Sequence, residues 1–217
     1  MKTMLDRSAG ILMPVSSLPS PYGIGTFGKA AYEFVDFLKK ARQKYWQVLP
    51  VGPTSYGDSP YQSFSAFAGN PYFIDLDTLA EEGLLTREEI NACYWGCDET
   101  QVAYDAAFWY RFPLLKKAHA RSEFHEEEGY EKFCMESWYW LNDYALYMAL
   151  KFHFDNQEWL AWPEDIRFRK RDAVERYKEE LKEEIDFWKF LQYKFFQQWK
   201  KLRAYANSQG ISTIGDI

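Results

Sequence analysis

Tyr45-Trp-Gln-Val-Leu-Pro50, followed two residues later by Gly52-Pro-Thr-Ser-Tyr-Gly-Asp-Ser-Pro-Tyr-Gln-Ser-Phe-Ser-Ala-Phe-Ala-Gly-Asn-Pro71, is the stretch on which the fold turns. The first piece is a short apolar run that ends on a proline, the pattern of a buried β-strand. The second is broken up by Pro, Gly and Ser, so it reads as a long loop leaving the C-terminal end of that strand. Tyr56, Tyr61, Phe64 and Phe67 stand in this loop among hydroxyls and amides. Such a loop can stack aromatic faces on the C–H face of a sugar or on a planar ligand, while Ser, Asp, Gln and Asn take its polar groups. It can also plug the protein's own core with the same rings. Composition alone leaves both readings open.

Upstream, Gly10-Ile-Leu-Met-Pro-Val15 is a second apolar run, read as a strand buried on both faces. A loop over 16–28 follows. Ala31, Phe34, Leu38 and Ala41 then recur at spacings of three and four, which marks a helix with one core face. Strand, helix and strand in this order form a βαβ unit with parallel strands. At the far end Ile185, Trp188, Leu191, Phe195, Trp199, Leu202 and Ala206 hold one helical face for several turns. Gly210 sits where a C-terminal capping glycine belongs, and Ile211-Ser-Thr-Ile-Gly-Asp-Ile217 begins a third strand. The connection from strand two to strand three is several times longer than that from strand one to strand two. The long connections follow strands, so any site belongs at the strands' C-terminal ends.

Between them the chain reads as an insertion, mostly helical after an extended piece at Tyr72-Phe-Ile-Asp-Leu76. Thr86-Arg-Glu-Glu89 is a capping box, and Pro113 starts or kinks a helix. Trp138, Leu141, Ala145, Met148 and Phe152 form a stripe that predicts a helix over 137–153 with a packed face. The mixed charged run 164–184 reads as one solvated helix. The resulting organisation is 1–50 for the first βαβ unit, 51–182 for the loop and insertion, and 183–217 for the next helix and strand.

Composition narrows the chemistry. The chain has 217 residues, 47% hydrophobic and 27% charged, which suits a globular protein. A formal net charge of −6 argues against a nucleic-acid partner. No stretch has the length of a membrane span and Met1–Gly10 lacks an apolar signal region, so a cytoplasmic protein is expected. Three cysteines, an odd number, with three scattered histidines suggest free thiols and neither a disulfide framework nor a metal site. Gly23-Ile-Gly-Thr-Phe-Gly28 matches G-x-G-x-x-G. It begins too far after Val15, however, and no acidic residue stands in 45–49 to hold a ribose, so its glycines are read as turn formers and no cofactor is expected. Asp58 either meets a sugar hydroxyl or closes a turn onto Ser59.

With these residues assembled, the chain resembles the 4-α-glucanotransferases, also called amylomaltases or disproportionating enzymes. The resemblance rests on 52–71 together with Gly10-Ile-Leu, Ser17-Leu-Pro-Ser-Pro-Tyr-Gly-Ile-Gly25, Phe190-Leu-Gln-Tyr, Gln198-Trp199 and Ile214-Gly-Asp-Ile217. It implies an α/β fold, the N-terminal part of a (β/α)₈ TIM barrel, with a large helical insertion after strand two. It implies retaining transfer of α-1,4-glucan segments between maltooligosaccharides. The family's three catalytic acids lie on later strands, so no residue here takes a catalytic role, and 217 residues by themselves are expected to be inactive. By position in the motif, Tyr61 resembles the active-centre tyrosine that stacks on the sugar beside the cleaved bond, Ser59 a nearby hydroxyl contact, and Tyr56 an aromatic of an accessory glucan groove. The alternative is a non-catalytic glucan-binding or protein-interaction module.

Overall fold

The computed structural model describes residues 7–55, 57–96, 98 and 100–216. Its strands are β1 (Gly10–Leu12), β2 (Tyr45–Gln47) and β3 (Ser212–Ile214). They form one parallel sheet in the order β1-β2-β3. Ile11, Trp46 and Thr213 stand in register across it, so their side chains share a face. Bonds just outside the register extend the ladder, with Met13 N–H donating to the Gln47 carbonyl at 2.9 Å and Val48 N–H to the Ile214 carbonyl at 2.9 Å. Gly10 is required by close approach, because a Cβ there would lie 2.6 Å from the Tyr45 Cβ.

The helix between β1 and β2, α1 (Lys29–Lys40), covers the Trp46 face. Phe34 meets the Trp46 ring edge-on at 5.1 Å, and Trp46 donates its indole N–H to the Met13 carbonyl at 2.8 Å. The opposite face is open. Leu12 is 51% exposed and Ile214 42%. The expectation of a strand buried on both faces is therefore corrected: within this chain β1 is covered on one side only, by the helix that its own crossover supplies.

After β2 the chain runs through the aromatic loop to a 3₁₀ turn (Pro71–Phe73) and then to α2 (Leu76–Glu81) and α3 (Arg87–Asn91). The extended piece expected at 72–76 is thus a 3₁₀ turn leading into a helix cap. Asn70 accepts from Tyr72 N–H and Asp75 from Thr78 N–H, and these local caps outweigh the β-propensity of Tyr-Phe-Ile. The capping box is present, with Thr86 and Glu89 exchanging hydrogen bonds. A short helix, α4 (Tyr104–Ala106), passes through a π-helical turn (Ala107–Arg111) into α5 (Phe112–Arg121).

The chain divides into two compact units, 1–121 with 194–217, and 122–193. The second holds α6 (Glu128–Glu136), α7 (Leu141–His153), α8 (Glu164–Arg167), α9 (Arg171–Glu180) and the first turns of α10 (Lys182–Ser208), whose remainder belongs to the first unit. Two expectations change here. The helix expected over 137–153 begins at Leu141, and Trp138, in the turn before it, is 73% exposed and no part of the packed stripe. The charged run 164–184 is broken into α8, α9 and the start of α10, with Arg169 at φ +54° between the first two. Within this unit Phe124, Tyr130, Phe133, Phe190 and Tyr193 pack as an aromatic cluster, and Trp188 lies against Phe152 and Tyr144. Cys93 and Cys134 are free and half-buried, while Cys97 lies outside the described residues. No described helix is long and apolar enough to cross a membrane.

Candidate functional site

The loop after β2 is ordered largely by its own serines. Ser59 Oγ accepts from Tyr61 N–H at 3.3 Å, Ser63 Oγ donates to the Ser65 carbonyl at 2.8 Å, and Ser65 Oγ accepts from Phe67 and Ala68 N–H groups at 3.3 and 3.1 Å. Each hydroxyl replaces a backbone partner in a tight turn, which lets a chain with little regular structure hold one course. Asn70 is buried and its N–H donates to the Val51 carbonyl at 2.9 Å, closing the base of the loop. Gly69 packs so closely on the Phe195 ring that a Cβ would overlap it at 2.1 Å.

Held in this way, the loop turns its rings outward. Tyr61 is 57% exposed, and Phe64 and Phe67 are exposed as well. Tyr56 lies outside the described residues. Tyr61 also reaches across the strand ends: its hydroxyl donates to Asp216 Oδ2 at 2.8 Å, just past the end of β3. That bond, and secondarily desolvation, moves the phenol upward from its ordinary pKa, so Tyr61 stays a neutral hydrogen-bond donor. The arrangement joins the loop of β2 to the end of β3 at the C-terminal edge of the sheet, where parallel β/α folds put their sites.

A buried polar network that sequence reading missed centres on Asp75. Asp75 accepts from Thr26 Oγ1 at 2.8 Å, Thr78 N–H at 2.8 Å and Thr78 Oγ1 at 2.9 Å. Gln198 on α10 brackets the same residue, accepting from Asp75 N–H at 2.7 Å and donating to its carbonyl at 3.3 Å. Gly28 leaves the room, since a Cβ there would meet the Asp75 carboxylate at 2.0 Å. Fully buried Arg111 donates to the Ile74 carbonyl at 2.7 Å and lies over the Trp95 ring. Burial pulls its pKa down to about 10, opposed by Asp75, Tyr72 and Tyr22, so it remains a cation at neutral pH. The one sequence signal for this network was the cap pattern Asp75-x-x-Thr78, masked by the apolar residues before it.

Asp58 occupies a separate small cavity of about 20 Å³, with Val15, Thr54, Asn70, Phe73 and Tyr104 among its walls. Its backbone is left-handed at φ +55°, which Asp tolerates in turns, and its N–H donates to the Ser55 carbonyl at 3.1 Å. The turn expected at Asp58 is therefore real, but it closes back on Ser55. Desolvation raises the carboxyl above its ordinary 3.8, with a Thr54 hydrogen bond opposing. A raised carboxyl favours the folded state below pH 3.8, and that contribution is lost as pH rises through the folded value. Asp58→Asn, which also accepts this backbone, is expected to raise Tm by a degree or two at pH 7 and to match the parent below about pH 4. Thermal melts from pH 3 to pH 8 check it.

Comparison with known proteins identifies the family. Residues 13–217 match the family model for 4-alpha-glucanotransferase, glycoside hydrolase family 77. The chain is 53% identical to the 4-alpha-glucanotransferase of Clostridium butyricum, over 94% of this chain and 42% of that protein. It is 50% identical to that of Streptococcus pneumoniae over 99% of this chain and 43% of the relative. Among solved structures, the amylomaltase of Streptococcus agalactiae in complex with acarbose superposes with a TM-score of 0.92 at 42% identity, over 98% of this chain and 43% of that one. The amylomaltase of Corynebacterium glutamicum, 17% identical with a TM-score of 0.69, shares the fold. The chain thus spans well under half the length of the relatives it matches, and by the match over 13–217 it belongs to the 4-alpha-glucanotransferase family.

Proposed function

We propose that this chain is the N-terminal part of a cytoplasmic 4-α-glucanotransferase, which moves α-1,4-glucan segments between maltooligosaccharides by a retaining double displacement. The observation that carries the reading is the exposed Tyr61 ring, tethered through Asp216 at the C-terminal edge of a parallel sheet. A ring presented in this way offers a stacking surface to a glucose unit, with its hydroxyl already committed and its orientation fixed. Ser59 lies two residues away, its oxygen holding the Tyr61 backbone and its proton left to meet a sugar oxygen. Tyr56 is assigned to an accessory groove by its place in the motif alone.

The barrel follows from the same reading. The open face of the sheet carries Leu12 and Ile214, apolar side chains that suit the filled interior of a (β/α)₈ barrel, while the Trp46 face already carries its helix. No residue of this chain acts as nucleophile or acid in that scheme. The site's part here is to position the sugar and keep water from it, which favours an acceptor sugar over hydrolysis.

Incubating the full-length protein with maltotriose tests the proposal. Glucose together with maltopentaose and longer products is the expected result. Shorter sugars only, with reducing ends rising, would make it a hydrolase; binding with no products would make it a non-catalytic glucan module. Either outcome overturns the assignment.

A further inference from the structure

We propose that Asp58 is a positioning residue for the transfer reaction: its side chain pins the aromatic loop to the body of the first unit and so fixes where the Tyr61 ring stands. The inference rests on the function proposed above, and gives Asp58 a part in it that needs no contact with sugar.

The two legs of the loop meet at the Asp58 cavity. Val51 and Thr54 line it from the outgoing leg and Asn70 from the returning one. Asn70 N–H donates to the Val51 carbonyl at 2.9 Å, so the legs are also joined by backbone. Asp58 and Pro60 line the same cavity from the middle of the loop. At about 20 Å³ it has room for little more than one water, so these side chains lie against protein walls.

Two consecutive turns carry this anchorage to Tyr61. The first ends on Asp58, whose N–H donates to the Ser55 carbonyl at 3.1 Å. Gly57 and Asp58 are both left-handed there, at φ +87° and +55°, a conformation that Asp tolerates better than most residues. The second runs from Ser59 to Gln62, whose N–H donates to the Ser59 carbonyl at 3.1 Å. Pro60 takes its second position, where the fixed φ of proline suits a turn, and Tyr61 its third. Only Ser59 and Pro60 separate the anchored carboxyl from the exposed ring, and Ser59 Oγ itself accepts from Tyr61 N–H. Neither residue has slack, so a shift at Asp58 passes to the ring.

The surroundings of the carboxyl suit an anchor. Thr54 bonds to it from the stem of the loop, while Tyr72 faces it from the 3₁₀ turn and Tyr104 and Asp105 from α4. Burial, and after it the Asp58 charge, pushes the Tyr72 phenol up to about 12 and raises that of Tyr104, so both stay neutral at the cavity. Asp216 holds the Tyr61 ring at its hydroxyl end, and Asp58 holds it at its backbone end.

Steady-state kinetics of the full-length protein on maltotriose test the assignment. Asp58→Gly keeps the left-handed backbone and loses the carboxyl. Its kcat is expected to fall about tenfold with KM within about twofold, less than a full ångström of misplacement costs, because Asp216 still holds the hydroxyl. Asp58→Asn, which keeps an acceptor oxygen at the same place, is expected to restore kcat to within about twofold. In a Tyr61→Ala background Asp58→Gly is expected to change kcat by less than about twofold, since the ring it positions is gone. An unchanged kcat in Asp58→Gly overturns the assignment. So does an equal fall in the Tyr61→Ala background, which a merely structural role would give. Should Asp58→Gly not fold, Thr54→Val replaces it: a fall of about threefold that Tyr61→Ala abolishes supports the anchor, and no fall overturns it. The enzymatic reading fails separately, when wild-type protein makes no transfer products. The crystal structure of Asp58→Gly then decides: a Tyr61 ring displaced by about an ångström supports the anchor, and a ring still in place overturns it.

Discussion

Tyr61→Ala in the full-length enzyme is expected to lower turnover on maltotriose about a hundredfold, with Tm within a degree or two of the parent. The stability half follows from exposure: the ring is 57% exposed, so its loss leaves no cavity. The activity half follows from position. The ring is fixed at both ends, by Ser59 at its backbone and by Asp216 at its hydroxyl, and a sugar stacked on it inherits that placement. Loss of such placement costs about 10²-fold when reacting atoms shift by about an ångström. Tyr61→Phe separates the two contributions. It keeps the stacking face and removes the bond to Asp216, so it should fall between parent and alanine. Unfolding of Tyr61→Ala, with full activity in whatever remains folded, would return the ring to the core and defeat the assignment.

Arg111→Ala is expected to be the most destabilising single change outside the aromatic clusters, by about 3–5 kcal/mol. Two effects add. A fully buried side chain is replaced by a void, and the Ile74 carbonyl loses its donor where water does not reach. Asp75 also loses a buried cation whose charge it attracts. Against a usual stability of about 5–15 kcal/mol this is enough to populate the unfolded state. Urea unfolding checks it, and Arg111→Lys should recover only part of the loss, since an ammonium does not reproduce the planar fork of donors. A loss under about 1 kcal/mol would show that the Asp75 network stands without Arg111.

Much of the fold is legible in the residues themselves. The three strands, the helix between the first two, the capping box at Thr86 and the capping glycine at Gly210, φ +79°, all rest on signals within a few residues of one another. That the loop after β2 carries exposed rings was legible for the same reason, because rings set among turn-forming residues have little regular structure to belong to. The misses have a common cause. Trp138 falls on the heptad-like stripe of α7 but precedes its first turn, and periodicity does not mark where a helix begins. Tyr72-Phe-Ile looks extended because its side chains favour strands, yet the caps at Asn70 and Asp75 decide the backbone.

What sequence by itself determined is therefore local: which segments are strand or helix, and that a long aromatic loop follows β2. Tertiary structure alone decided which face of β1 is covered, that Gln198 brackets Asp75 while Arg111 caps the Ile74 carbonyl, and that Tyr61 meets Asp216 across 155 residues of chain. Hydrogen bonds and ring contacts of that kind depend on where distant segments are brought by packing, and no spacing rule along the chain encodes them.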